Sequence, residues 1–124
     1  MITGKYPGLR LRRNRKTSWS RRLVQENTLT PNDFILPIFL VEGRNKRVNI
    51  SSMPGVYRYT INRLSQIIDK ALGLGIPMVA LFPKTKNSLK DKMGSESVNE
   101  KNLVCRAIQE IKKKYKNQIG IMCD

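Results

Sequence analysis

Thr60-Ile-Asn-Arg-Leu-Ser-Gln-Ile-Ile-Asp-Lys-Ala-Leu-Gly-Leu-Gly-Ile-Pro-Met-Val-Ala-Leu-Phe-Pro83 reads as one amphipathic helix delivered into one buried strand. Ile61, Leu64, Ile67, Ile68, Ala71 and Leu72 recur at helical spacing, so a helix is expected near 61–74. Thr60 is its expected cap, Gly75 its stop, and Pro77 stands just beyond. Met78–Phe82 then runs apolar without alternation, as strands do in a parallel sheet covered on both faces, and Pro83 closes it. A helix that feeds a strand of this kind is half of a βαβ unit, and the neighbouring sequence supplies the other halves.

Upstream, Phe34-Ile-Leu-Pro-Ile-Phe-Leu-Val41 is a second run without alternation, expected as a strand near 34–41. Pro37 removes one ladder donor and marks its pairing as irregular. Between the two lies an expected loop, 42–59, with the basic Arg44-Asn-Lys-Arg47 and the turn Met53-Pro-Gly55. Downstream, a polar loop carrying Lys84, Lys86, Lys90, Asp91, Lys92 and Gly94 leads to Asn99, the expected next cap. Leu103, Val104, Ala107, Ile108 and Ile111 make the stripe of a helix near 99–116, whose last turn holds Lys112–Lys114, favourable to its dipole. Ile119-Gly-Ile-Met-Cys123 is the third expected strand, and Asp124 stands at its exit, where parallel α/β proteins carry functional groups. The order β, α, β, α, β implies an α/β fold with a parallel sheet and right-handed crossovers. It fits a (β/α)8 barrel or a doubly wound sheet. No G-x-G-x-x-G follows either completed strand, so a dinucleotide fold has no positive support.

The 124 residues suffice for one domain with a modest core, and 40% hydrophobic against 27% charged is a globular balance. The formal charge of +15 is uneven: residues 1–30 hold eight Lys/Arg against Glu26, and the remainder sixteen against eight acids. Residues 1–30 are therefore expected as a basic N-terminal arm, in which Thr17 and Ser18 cap a short helix through about Asn27, and 31–124 as the α/β body. Thr30-Pro-Asn-Asp33 reads as a turn or a brief helical start. The longest apolar run has eight residues, far short of the roughly 20 that span a bilayer. Cys105 and Cys123 share no metal-ligand or redox spacing, and a reduced cytoplasmic setting is the simpler expectation.

The catalytic inventory is thin. The chain has no histidine, which excludes His triads, His metal sites and His general acid–base chemistry. Its nine carboxylates are scattered, with no pair placed for acid–base work. A Schiff-base lysine needs desolvation or a neighbouring cation, and the lysines here fall in loops or on polar helix faces. Asp124 reads either as a terminal residue or as a carboxylate at the mouth of the sheet. Arg10-Leu-Arg-Arg-Asn-Arg-Lys16 invites a nucleic-acid reading through counterion release, but Tyr6 and Trp19 are its only aromatics, so base stacking is poorly supplied. A solvated or subunit-contacting arm outweighs it.

Several stretches together carry a resemblance. Arg10–Trp19, Leu29–Asp33, Leu36-Pro-Ile-Phe39, Val41-Glu-Gly43, Ser52-Met-Pro-Gly-Val-Tyr-Arg58, Gly75–Pro83, Gly94-Ser-Glu96, Asn102-Leu-Val104 and the strand ending at Asp124 resemble the porphobilinogen synthase (5-aminolevulinate dehydratase) family, from about Leu9 onward. The resemblance implies an N-terminal arm and the first three β/α units of a (β/α)8 (TIM) barrel, with the arm embracing a neighbouring subunit, usually in homo-octamers. It implies heme and porphyrin biosynthesis, in which two 5-aminolevulinate molecules condense to porphobilinogen on two Schiff-base lysines, with zinc or magnesium assisting in many members. By the same resemblance Asp124 matches an active-site aspartate, and Arg15 an arm arginine at a subunit interface linked to allosteric magnesium. The Schiff-base lysines and the metal segment lie beyond the positions matched here. The expectation is thus a truncated, N-terminal and by itself inactive portion, with no complete metal or cofactor site. Residues 1–8 and the lysine-rich loop 84–92 depart from the family pattern. One piece of a split synthase completed by another polypeptide, or a basic nucleic-acid-binding protein, are the alternatives.

Overall fold

The computed structural model of the chain describes residues 4–123. Five strands form one sheet: β1 (Ile35–Leu40), β2 (Arg47–Asn49), β3 (Tyr57–Tyr59), β4 (Met78–Pro83) and β5 (Gly120–Cys123). Three α-helices accompany them: α1 (Ser18–Leu23), α2 (Leu64–Gly73) and α3 (Leu103–Tyr115). The strand order is β2-β3-β1-β4-β5, with β3, β1, β4 and β5 parallel and β2 antiparallel to β3. Six residue pairs, Ile35 with Met78 through Leu40 with Pro83, join β1 to β4. The chain is thus an α/β sheet fragment whose central ladder follows from the two apolar runs.

Residues 42–59, expected as a loop, are corrected by the structure to a small antiparallel excursion that returns as β3 along the free edge of β1. Only three residues of each strand pair, too few for alternation to register as a period. Thr60 is also corrected. Its side chain is fully buried and makes no cap; the hydroxyl accepts from the Lys46 amide at 3.1 Å and donates to Asn62 Oδ1 at 2.9 Å. It ties the start of β2 to the exit of β3, and the helix begins through a 3-10 turn, Ile61–Arg63.

Helix α2 ends as its sequence predicts. Gly75 takes φ +74, Ile76 N–H reaches the Ala71 carbonyl at 2.9 Å and Gly75 N–H the Leu72 carbonyl at 3.0 Å, the paired bonds of a Schellman stop. Helix α3 starts later than expected, at Leu103. Its cap is Asn102, whose side chain accepts from Cys105 N–H at 2.8 Å, whereas Asn99 holds the preceding turn by accepting from Lys101 N–H. Helix α1 stops at Leu23 instead of near Asn27, because Trp19 and Leu23 find no apolar partner and a helix this short gains little without packing. Thr30 and Asp33 bracket a single 3-10 turn, the Asp33 carboxylate accepting from Thr30 N–H at 2.6 Å. That bond from the backbone, and a second from the Thr30 hydroxyl, hold the Asp33 carboxyl below its usual range.

Helices α2 and α3 cover one face of the sheet. Ile38, Leu40, Val79 and Leu81 point into them and meet Leu64, Ile68, Ala71, Ala107 and Ile111 in one cluster. The opposite face is not covered among the described residues: Ile35 is 45% and Met122 46% exposed, with Phe39 and Phe82 half-buried between. The expectation that the first strand is buried on both faces is therefore corrected. Its burial alternates, with Leu36, Ile38 and Leu40 inward and Ile35 and Pro37 outward.

Candidate functional site

Two concavities open at the C-terminal rim of the sheet, one on each face. The first lies on the uncovered face. Register aligns Arg58 with Phe39 and Phe39 with Phe82, so these three side chains form a row across β3, β1 and β4. The two phenylalanine rings lie 5.7 Å apart, tilted by 34°. Above them Pro83, Lys84, Thr85, Asn87 and Lys90 border an open concavity of about 320 Å³, lined by three cations and, among the described residues, by no carboxylate.

The second, about 440 Å³, lies on the helix side beneath the loop 84–98, between the end of β4 and the first turn of α3. Its walls are mainly apolar, with Leu103, Val104 and Ile108, and it also holds Glu42, Glu96 and both cysteines. Cys123 is exposed at the rim. Partial desolvation pushes its thiol above the usual range, and the nearby Cys105 adds to the shift. Glu42, just beyond β1, pairs with Arg106 of α3 and so fixes the helix start against the strand end. The overlying loop is held by Asp91, which accepts from Met93 N–H and Ser95 N–H, each at 3.0 Å. Bonds from Ser95, its hydroxyl first, hold the Asp91 carboxyl below its usual range.

Of the residues singled out by sequence, Asp124 lies outside the described residues. Arg15 ends the 3-10 turn Arg13–Arg15 in the arm, exposed, with its backbone carbonyl accepting from the Arg21 guanidinium at 3.0 Å. The two are not brought into one described site. Every described lysine is exposed, so none meets the desolvation that frees an amine for imine formation. Lys114 moves the other way: its contact with the Tyr115 hydroxyl and the charge of Asp69 raise its pKa. Among the described residues no three Cys, Asp or Glu side chains converge to hold a metal, and His is absent from the chain. The described residues do not by themselves fit a zinc or magnesium centre. Arg58 lies in a strand of three residues, Tyr57–Tyr59, all half-buried, which is too short for its sequence to mark it as a strand. No helix among the described residues is long and apolar enough to cross a membrane.

Comparison with known proteins agrees with this geometry. The family model for delta-aminolevulinic acid dehydratase matches residues 8–124. Among curated relatives, the delta-aminolevulinic acid dehydratase of Bradyrhizobium diazoefficiens is 50% identical over 116 residues, 94% of this chain and 33% of that protein. That of Helicobacter pylori is 43% identical over 113 residues, covering 90% of this chain and 34% of the relative. A crystal structure of the Toxoplasma gondii delta-aminolevulinic acid dehydratase (porphobilinogen synthase), in complex with the reaction product porphobilinogen, superposes with a TM-score of 0.83 at 37% identity. The match covers 94% of this chain and 32% of that one. The chain spans about a third of the length of these relatives.

Proposed function

The chain belongs to the delta-aminolevulinic acid dehydratase family, and on that premise we propose that it is the N-terminal portion of a porphobilinogen synthase. It contributes the basic arm and the first three β/α units of a (β/α)8 barrel. The substrate of the whole assembly is 5-aminolevulinate and the setting heme biosynthesis in the cytoplasm. In this reading Asp124 orients substrate at the barrel mouth, and Arg15 works at a subunit contact of a homo-octamer, where the arm's charge serves assembly. Zinc or magnesium belongs to positions beyond those matched here.

The observation that carries the proposal is the match of residues 8–124 to the family, together with a largely parallel sheet covered by helices on one face. The lysines bound what this stretch does alone. An imine to a keto acid forms through an unprotonated amine, and every described lysine is exposed, so residues 1–124 alone do not condense 5-aminolevulinate. A second reading, one piece of a split synthase completed by another polypeptide, is favoured by the uncovered apolar face with Ile35, Phe39, Phe82 and Met122.

The purified chain is incubated with 5-aminolevulinate, reduced with borohydride and weighed intact, while porphobilinogen is assayed in parallel. No adduct and no product are expected. Product appearing when a polypeptide covering the remaining two-thirds of the Bradyrhizobium relative is added selects the split-enzyme reading. A stoichiometric adduct on one lysine of the chain alone, with product, overturns the proposal.

A further inference from the structure

We propose that Cys105 and Cys123 are a redox pair that closes to a reversible disulfide across the cavity under the loop 84–98, pinning the exit of β5 to the first turn of α3. The inference goes beyond the synthase reading and does not rest on it.

Eighteen positions separate the two residues (123 − 105), a spacing with no redox meaning of its own. Topology brings them together. In a β-α-β crossover the helix runs against its strands, so the start of α3 and the end of β5 lie at the same rim of the sheet. Register then sets the face. Cys123 pairs with Leu81 across the β4–β5 ladder, and paired residues of neighbouring strands point the same way. Leu81 is fully buried in the cluster under α2 and α3, so Cys123 also points to the helix side. On α3, Cys105 stands one turn before Ile108, and both line the same cavity as Cys123. The Cys105 N–H donates to the Asn102 side chain at 2.8 Å, which holds that first turn in place.

The two thiols differ in access. Cys123 is exposed at the rim and Cys105 is half-buried. Partial burial raises the Cys123 thiol, and Cys105 is near enough to add to that rise. A disulfide asks for Cα atoms roughly 4–7 Å apart. Cys123 ends a strand that has one neighbour among the described residues, so its backbone has the freedom to take up that separation. The oxidant is a small disulfide such as oxidised glutathione. The exposed Cys123 thiolate attacks one of its sulfurs, the glutathione S–S bond breaks, and one glutathione thiolate leaves. The Cys105 thiolate then attacks the Cys123 sulfur and expels the second. Two protein thiols have lost two hydrogens, and one glutathione disulfide has become two thiols. Reduced glutathione opens the bond by the same two steps in reverse.

The full chain, at low concentration and mildly alkaline pH, is equilibrated in graded mixtures of reduced and oxidised glutathione. Samples are quenched with acid, and the intact chain and its peptides are weighed. One internal link between the Cys105 and Cys123 peptides is expected, with the intact chain lighter by two hydrogens and both thiols restored on reduction. In denaturant the equilibrium constant for closure should fall by about tenfold or more, because only the fold holds the two thiols together. Cys105→Ser should stop the reaction at a glutathione adduct on Cys123, the first step without the second. Glutathione left on Cys123 beside a free Cys105 in the parent chain, chains linked to one another in place of the internal bond, no reaction at either thiol, or a closure constant equal in the folded and unfolded chain would each overturn the proposal. No readout involves turnover, so failure here is distinguishable from failure of the synthase reading.

Discussion

Tyr115, near the end of α3, donates its hydroxyl hydrogen to Asp69 of α2 at 2.6 Å, and Lys114 approaches the other carboxylate oxygen at 3.4 Å. This is a polar tie between the two helices that cover the sheet, at the edge of the core they share with β1 and β4. It makes their packing sensitive to pH in both directions.

The Tyr115 hydroxyl holds Asp69 below its ordinary 3.8, so that contribution is complete above 3.8 and is lost as pH falls through the folded value. Burial, then the bond to Asp69, raises Tyr115 above 10.0, so its contribution is complete below 10.0 and is lost as pH rises. Lys114, raised above 10.5, weakens over the same alkaline side. Melting temperature measured from below pH 3.8 to above pH 10.0 should therefore fall at both ends. Tyr115→Phe should flatten both limbs relative to the parent; unchanged limbs would show that the tie contributes nothing.

The core prediction concerns Leu81, which is fully buried at the centre of β4 and packs in the cluster of Ile38, Ile68 and Val79. Leu81→Ala removes methyl groups that the sheet and helices cannot close over. It should cost about 2–5 kcal/mol in denaturant unfolding, enough to unfold a marginal domain. The same truncation at exposed Leu74 should be nearly silent.

Gly75 tests the helix stop. Its φ of +74 lies where L side chains are strained, and a Cβ there would approach Pro31 Cβ at 3.4 Å. Gly75→Ala should destabilise by about 1–2 kcal/mol, almost all of it from the backbone conformation. Gly73 offers the control. It is the last residue of α2, a Cβ added there would meet nothing within 4 Å, and alanine in its place should stabilise slightly.

These outcomes track what was legible in the sequence. The helices α2 and α3 and the strands β1 and β4 announced themselves because burial imposes a period or an unbroken apolar run. Strands β2 and β3 did not, because three half-exposed or exposed residues such as Tyr57-Arg58-Tyr59 carry no pattern distinguishable from a loop. The same brevity hid Arg58, whose meaning depends on a register partner, Phe39, that lies nineteen positions away (58 − 39). Thr60 misled for another reason. A threonine before a helix can cap it or bond elsewhere, and only the fold shows that Lys46 and Asn62 hold its hydroxyl.

The arm gives a charge prediction. Arg10, Arg12, Arg13, Arg15 and Lys16 are all exposed, and Tyr6, whose ring Arg10 overlies, and Trp19 are the large aromatics beside them. If they serve assembly, duplex DNA should bind only weakly at physiological salt, with Kd of about 10⁻⁴–10⁻⁶ M, and the affinity should fall steeply with added salt. Sequence-selective binding in the nanomolar range, on the order of a specific DNA-binding protein, would instead revive the nucleic-acid reading.

The uncovered sheet face gives the last prediction. Ile35, Phe39, Phe82 and Met122 expose apolar surface on a sheet whose edges, β2 and β5, have no further strand among the described residues. Such a surface associates unless it is covered, and a net charge of +15 opposes that association without removing the apolar area. The purified chain should therefore self-associate with rising concentration, and more so as salt screens its charge. Replacing Ile35 and Met122, both partly in solvent already, with glutamate places charge on the face while sparing the helix-side core, so Ile35→Glu/Met122→Glu should shift light scattering toward monomer with little loss of circular dichroism. A parent chain that stays monomeric at high salt and melts in one sharp reversible transition would mean that this face is stable in water as it stands. The split-synthase reading would then lose the observation that favours it.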